Sequence, residues 1–184
     1  AQGRLMQTQQ LLSLPDITSR SSMAGHVTAS LVILNATKTH VLTIHQKALG
    51  LRLCPGGHID EPVDPYEAAL REGEEEVGLP AGGFEKVPTW DYNSCALDID
   101  AHLIPANPKK SEGIHMHHDI AYAVALKPST QLVDVSDAGV SDLQWIALQD
   151  WASLSVRNTR MLSVLQDPAY KVFPSMTLEG FSLT

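Results

Sequence analysis

The stretch DPYEAALREGEEEVGLP, Asp64 to Pro80, commits one segment of the chain to helix with little room for alternatives. Asp64 is an N-cap residue type, Pro65 suits the first helical position, where its missing amide is harmless, and Glu67 two residues on closes a capping box. Gly78, followed by Leu79-Pro80, supplies the stop. With about 100° between successive residues, Tyr66, Leu70, Gly73 and Val77 line one stripe, the expected core side. Glu72, Glu75 and Glu76 fall within a sector of roughly 100° on the other side. Ala68 and Ala69 flank them and are small enough to leave the carboxylates accessible. Glu74 points away and reads as solvated.

This placement of charge is unfavourable by itself. Glutamates at i and i+4 repel by about 0.2–0.5 kcal/mol per pair, and the last turn carries the negative end of the helix dipole. A run selected for solubility would mix signs or sit in the first turn. Arg71 relieves part of the repulsion by pairing with Glu75 and Glu67. The loop just before the helix, Pro55-Gly56-Gly57-His58, allows close backbone approach and offers free carbonyls. Carboxylates and carbonyls together are the oxygen-only environment that hard divalent cations such as Mg²⁺ select.

Strand patterns surround this unit. His26–Leu34 is apolar and β-branched without a breaker, and Val41–His45 follows after a turn-rich link, so a hairpin is expected. Leu51–Leu53, Ala96–Ile104, His117–Leu126 and Leu143–Leu148 read as further strands, and Ser155–Gln166 as a late helix. A short amphipathic helix is expected over residues 3–14, ended by Pro15. Strands interleaved with two or three helices indicate an α/β layered domain. The chain has 184 residues, enough for one domain and an extra terminal element. Its net charge of -8 argues against a general nucleic-acid binder, which needs a basic face. With two cysteines, Cys54 and Cys95, no disulfide framework is expected. There is no apolar run long enough for a bilayer and no signal-peptide layout, so a cytoplasmic protein with no membrane contact is expected.

The residues Gly57 to Leu79, GHIDEPVDPYEAALREGEEEVGL, resemble the Nudix box, in which a glycine, an Arg-Glu pair, a Glu-Glu pair and a terminal glycine recur at fixed spacing. Gly57, Arg71, Glu72, Glu75, Glu76, Gly78 and Leu79 are in register. Val63 stands where the family has its first box glutamate, and Gly73 where it has an aliphatic residue. The resemblance implies an α/β/α sandwich with a mixed sheet, as residues 25–184 behind an N-terminal helical extension, 1–24. It further implies that Glu72, Glu75 and Glu76 hold Mg²⁺ or Mn²⁺ with the Gly56 carbonyl, that Arg71 orients them, and that Glu72 or Glu75 takes part in catalysis. Glu112, in the breaker-rich loop Ile104–Gly113, is the candidate for an extra metal ligand from outside the box.

A second constellation is HMHHD, His115 to Asp119. In an extended chain His115, His117 and Asp119 share one face and His118 the other. Two imidazoles and a carboxylate there are candidates to contact substrate phosphate, bind a transition metal or supply a base; an ordinary polar strand edge is the plainer reading. Trp90, Tyr92 and Trp145 are candidates to stack a base, with core packing the plainer alternative. Cys54 reads as a small buried residue. The resemblance implies hydrolysis of a nucleoside diphosphate linked to another moiety, with water attacking phosphorus on a nucleotide-type small molecule. Homodimers are common in the family. The rival expectation is a non-catalytic Nudix domain that senses a nucleotide metabolite. Val63 and Gly73 favour it, but it ordinarily needs an attached domain for which too few residues remain.

Overall fold

The computed structural model describes residues 16–46, 50–59, 64–87, 96–107, 112–133 and 140–167. Eight strands form one sheet: β1 (His26–Leu34), β2 (His40–Gln46), β3 (Leu51–Leu53), β4 (Gly56–His58), β5 (Phe84–Lys86), β6 (Asp98–Ile104), β7 (His115–Leu126) and β8 (Val140–Ala147). The helices are α1 (Pro65–Val77), α2 (Leu148–Ser153) and α3 (Val156–Gln166). The central path runs β3-β2-β1-β7-β5, with β4 on β1, β6 on β7 and β8 on β2. β1 and β7 pair in parallel from His26 opposite His117 to Leu34 opposite Ala125, and every other pairing is antiparallel.

Side-chain alternation along β1 and β7 separates two cores. Val27, Ala29, Leu31 and Ile33, with Tyr122, Val124 and Leu126, pack against Ala68, Ala69 and Val77 of α1. Val32 and Leu34, with Ala121, Ala123 and Ala125, pack against Trp151 and Ala152 of α2 and Met161 and Leu162 of α3. Helix, sheet and helices thus form the expected α/β/α sandwich. Among the described residues no helix is long and apolar enough to cross a membrane.

The α1 ends follow their chemistry. The Asp64 side chain accepts the Tyr66 amide at 2.7 Å, and Gly78 takes the left-handed conformation at φ 65°. One expectation is corrected here. Ala68 and Ala69 do not flank an open carboxylate face but are 1% and 0% exposed, because the helix lies close on the sheet and small residues permit that approach. Gly73 has the same cause. A Cβ on it would stand 2.8 Å from Leu31 Cδ2 and 3.3 Å from Leu79 Cδ2, so leucines from β1 and from just past the helix fill the volume a larger residue would take.

Other elements depart from expectation by a few residues or were not foreseen. β6 begins at Asp98, β7 at His115 and β8 at Val140, while β4, β5 and α2 have no clear sequence signal. The stretch 3–14, Val63, Trp90, Tyr92, Cys95 and Lys109-Lys110 lie outside the described residues.

Candidate active site

Two elements, β4 and the second half of α1, converge at one junction. The Gly56 amide donates to Glu76 Oε2 at 3.0 Å. Arg71 sits between two carboxylates, 3.0 Å from Glu72 Oε1 and 3.1 Å from both oxygens of Glu75, and donates to the His58 carbonyl at 2.9 Å. One guanidinium therefore ties two glutamates of the helix to the backbone of the strand. Gly57 lies tight against this set: a Cβ there would stand 2.6 Å from the Glu72 carboxyl carbon, so that side chain would have to shift. The Glu72 side chain is 12% exposed and that of Glu75 56%, so the set grades from the protein interior to solvent. Glu74 is exposed, as expected.

Burial pushes Glu76 up to about 7; the Gly56 amide opposes this, and the neighbouring Glu72 and Glu75 charges add to it. A carboxylate this reluctant to ionise, with two more beside it, matches a place where a cation supplies the missing positive charge. The donor chemistry, all oxygen, fits Mg²⁺ or Mn²⁺.

A second polar centre lies on the face of the sheet that carries α2 and α3. β-Strand alternation puts His26, Thr28 and Ser30 of β1, His58 of β4, Asp98, Asp100 and His102 of β6, and His115, His117 and Asp119 of β7 on that face. At one end the histidines gather: His115 Nε2 is 3.1 Å from His117 Nε2, and His117 also meets the rings of His26, His58 and His102. Burial first, then the neighbouring histidines, pushes His117 down to about 3. At the other end Asp119 accepts from Thr28 Oγ1 at 2.8 Å, Ser30 Oγ at 2.6 Å and Arg157 Nη2 at 2.7 Å. Arg157 and Arg160 of α3 both reach Asp98, at 2.9 and 2.6 Å, and Arg160 also reaches Asp100. Burial raises the Asp98 and Asp119 carboxyls, yet the guanidiniums outweigh it and hold both below the usual carboxylate range.

The sequence-expected residues therefore divide. Arg71 joins Glu72 and Glu75, and the Gly56 amide holds Glu76, all at the junction of β4 and α1. His115 and His117 meet elsewhere, while Asp119, on their face, is 6% exposed and turned into the arginine network. Glu112 pairs with Asn107 across an isolated bridge, and its charge acts on His26 on the histidine side. Trp145 is on β8, opposite Leu42. Cys54 is partly buried against the second core, and burial pushes its thiol up to about 12, so it stays protonated. Sequence reasoning missed His26 as a member of the histidine cluster and Arg157 and Arg160 as anchors of the acids. Only the period-two pattern of β1 hinted at the first, and nothing local pointed to the arginines.

Comparison with known proteins bears on the family and the fold. Over 83 residues the chain is 32% identical to a protein of Lactococcus lactis subsp. cremoris (strain MG1363) named a probable DHNTP pyrophosphohydrolase; the match covers 45% of this chain. The chain spans only 43% of that relative's length. Among solved structures, the E. coli dihydroneopterin triphosphate pyrophosphohydrolase aligns with a TM-score of 0.58 at 19% identity, covering 74% of this chain and 92% of that one. A Clostridium perfringens hydrolase of the NUDIX family aligns at 0.52 and 22% identity, covering 77% and 98%. C. elegans Ap4A hydrolase aligns at 0.51 and 18%, covering 76% and 92%. These structures share the fold. The family model for the NUDIX domain matches residues 25–166, the whole of the sheet and all three helices, and the chain belongs to that family.

Proposed function

We propose that the protein is a metal-dependent pyrophosphohydrolase that cleaves a nucleoside diphosphate linked to another moiety. The observation that carries this reading is Arg71 bridging Glu72, Glu75 and the His58 carbonyl while the Gly56 amide holds Glu76. Such a frame fixes the orientation of the carboxylates before any ligand arrives, which is what electrostatic catalysis draws on. Bound Mg²⁺ or Mn²⁺ would neutralise diphosphate oxygens and lower the pKa of a water. Glu72, Glu75 and Glu76 would hold the cation, with the Gly56 backbone beside them. Arg71 keeps Glu72 and Glu75 oriented, and Glu72 or Glu75 would accept the proton of the attacking water. The -8 net charge suits a small phosphorylated substrate better than a nucleic acid.

The relatives' names set the first substrates to try: dihydroneopterin triphosphate and diadenosine tetraphosphate, beside nucleoside triphosphates and nucleoside diphosphate sugars. The test is turnover of this panel with Mg²⁺ or Mn²⁺, wild type against Glu75→Gln. Metal-dependent turnover that falls at least about a hundredfold in the variant is expected. Binding without turnover across the panel would instead establish a sensor. Gly73 no longer favours the sensor reading, since close packing on Leu31 accounts for it.

A further inference from the structure

Five of the eight histidines of the chain meet ring to ring. His26, His58 and His117 lie closest to a common point: each presents a ring nitrogen, and these nitrogens are within 4.8 Å of one another. They come from three strands, β1, β4 and β7, held in fixed register by the sheet. Among the described residues this is the one set of three His, Cys, Asp or Glu side chains with that spacing.

The protonation pattern is that of ligands. His26 is 1% exposed, and its Nδ1 lies 3.4 Å from the Ser22 carbonyl. A carbonyl only accepts, so Nδ1 carries the hydrogen and Nε2 carries a lone pair. That Nε2 is buried and has no hydrogen-bond partner. Buried polar atoms are nearly always satisfied, so this lone pair needs a reason. A backbone carbonyl fixing the far nitrogen of a ring whose near nitrogen is bare is the usual support of a metal-bound histidine. His115 supports His117 in a related way. Its Nδ1 donates to the Gly113 carbonyl at 2.8 Å, so its Nε2 accepts from His117 Nε2 at 3.1 Å and holds that ring in place.

We infer that His26, His58 and His117 form a transition-metal site, of the Zn²⁺ or Co²⁺ type, on the face of the sheet opposite α1. Imidazole-only donors select borderline cations over Mg²⁺. An ion about 2.0–2.1 Å from each nitrogen requires nitrogens about 3.3 Å apart, so the rings close on it by small rotations. Three protein ligands leave a position open for water or for an oxygen of a bound ligand. Glu112 adds a negative charge near His26, while Arg20 and His115 oppose it. The site goes beyond the proposed hydrolytic activity: none of its ligands is a box carboxylate, and His58 touches the Arg71 frame through its backbone carbonyl, not its ring.

Visible absorption tests it. The full chain is held in excess Mg²⁺ and titrated with Co²⁺, then with Zn²⁺ as competitor, in wild type, His117→Gln, His58→Gln and Glu75→Gln. The expected result is a single Co²⁺ with the intense bands of a four- or five-coordinate ion, displaced by Zn²⁺ and kept in Glu75→Gln. Affinity falls at least about tenfold in each histidine variant. His58 is only half-buried, so its variant keeps a folded readout if His117→Gln does not fold. Absence of such bands in the wild type overturns the inference, as does Co²⁺ binding lost in Glu75→Gln and retained in both histidine variants.

Discussion

The two polar centres of this molecule are built on opposite principles. The glutamate centre draws all its parts from residues 56–76, a strand and the helix that follows it, and its charges are of one sign apart from Arg71. The centre on the other face draws on β1, β4, β6, β7 and α3, pairs Asp98, Asp100 and Asp119 with arginines, and sets imidazoles beside them. The first is electrostatically incomplete and suited to receive a cation. The second is closed at its arginine end and open only at its histidine end. The contrast separates what the fold needs from what a ligand would need: compensated charge holds elements together, and uncompensated charge marks a site.

The largest expected effect falls on the compensated side. Asp119→Ala removes the buried carboxylate that Thr28, Ser30 and the half-buried Arg157 all contact, and should cost about 3–5 kcal/mol, read from urea unfolding. A loss below about 1 kcal/mol would mean that the network is not structural, and the contrast would fail. Next is the packing that lets α1 lie flat. Gly73→Leu must displace Leu31 Cδ2 and should destabilise by about 1–3 kcal/mol, seen as a lowered thermal midpoint. An unchanged midpoint would show that the helix has room to lift, and the close-approach account of Gly73 would be wrong.

A smaller change probes the incomplete side without touching a carboxylate. Gly57→Ala drives a methyl into the Glu72 carboxyl, which must move. Turnover should drop by about tenfold or more with the thermal midpoint nearly unchanged. Equal turnover would mean that the Glu72 position is not critical.

The smallest effect is the response to acid, which should differ in sign between the centres. Glu76 binds its proton more tightly folded, up to about 7, than its ordinary value of 4.5. Its contribution to stability is therefore full below about 4.5 and lost as pH rises through about 7. His117 behaves oppositely. Its folded value of about 3 lies below the ordinary 6.5, so stability is lost as pH falls from 6.5 towards 3. In chelator-treated protein, Glu76→Gln should raise the melting temperature at pH 8 and leave it unchanged at pH 4. His117→Gln should flatten the decline on the acid side. Curves parallel to wild type would remove both assignments.

How much of this the sequence carried follows the same division. Asp64, Pro65 and Gly78 mark α1 to the residue because caps are local chemistry, and the box spacing brought Arg71 and the three glutamates together before any fold was known. β1 was legible as an unbroken apolar run. β4 was not, because two of its three residues are glycines with no strand preference; pairing with β1 makes it a strand. α2 was hidden since its N-cap, Ala147, has no capping side chain and the preceding strand runs straight into it. The shared face of His115, His117 and Asp119 was correctly read from period two. Their partners were not, since His26 lies far along the chain from His117, and Arg157 is 38 residues from Asp119. Long-range register, not local pattern, makes those contacts.

The measurement that bears most directly on the division is Mn²⁺ binding followed by electron paramagnetic resonance in wild type, Glu75→Gln, Glu76→Gln and His117→Gln. The carboxylate centre is predicted to take the hard cation, so both glutamate variants should weaken Mn²⁺ by at least about tenfold while His117→Gln binds it as wild type does. Mn²⁺ affinity that collapses in His117→Gln and survives in the glutamate variants would contradict the account.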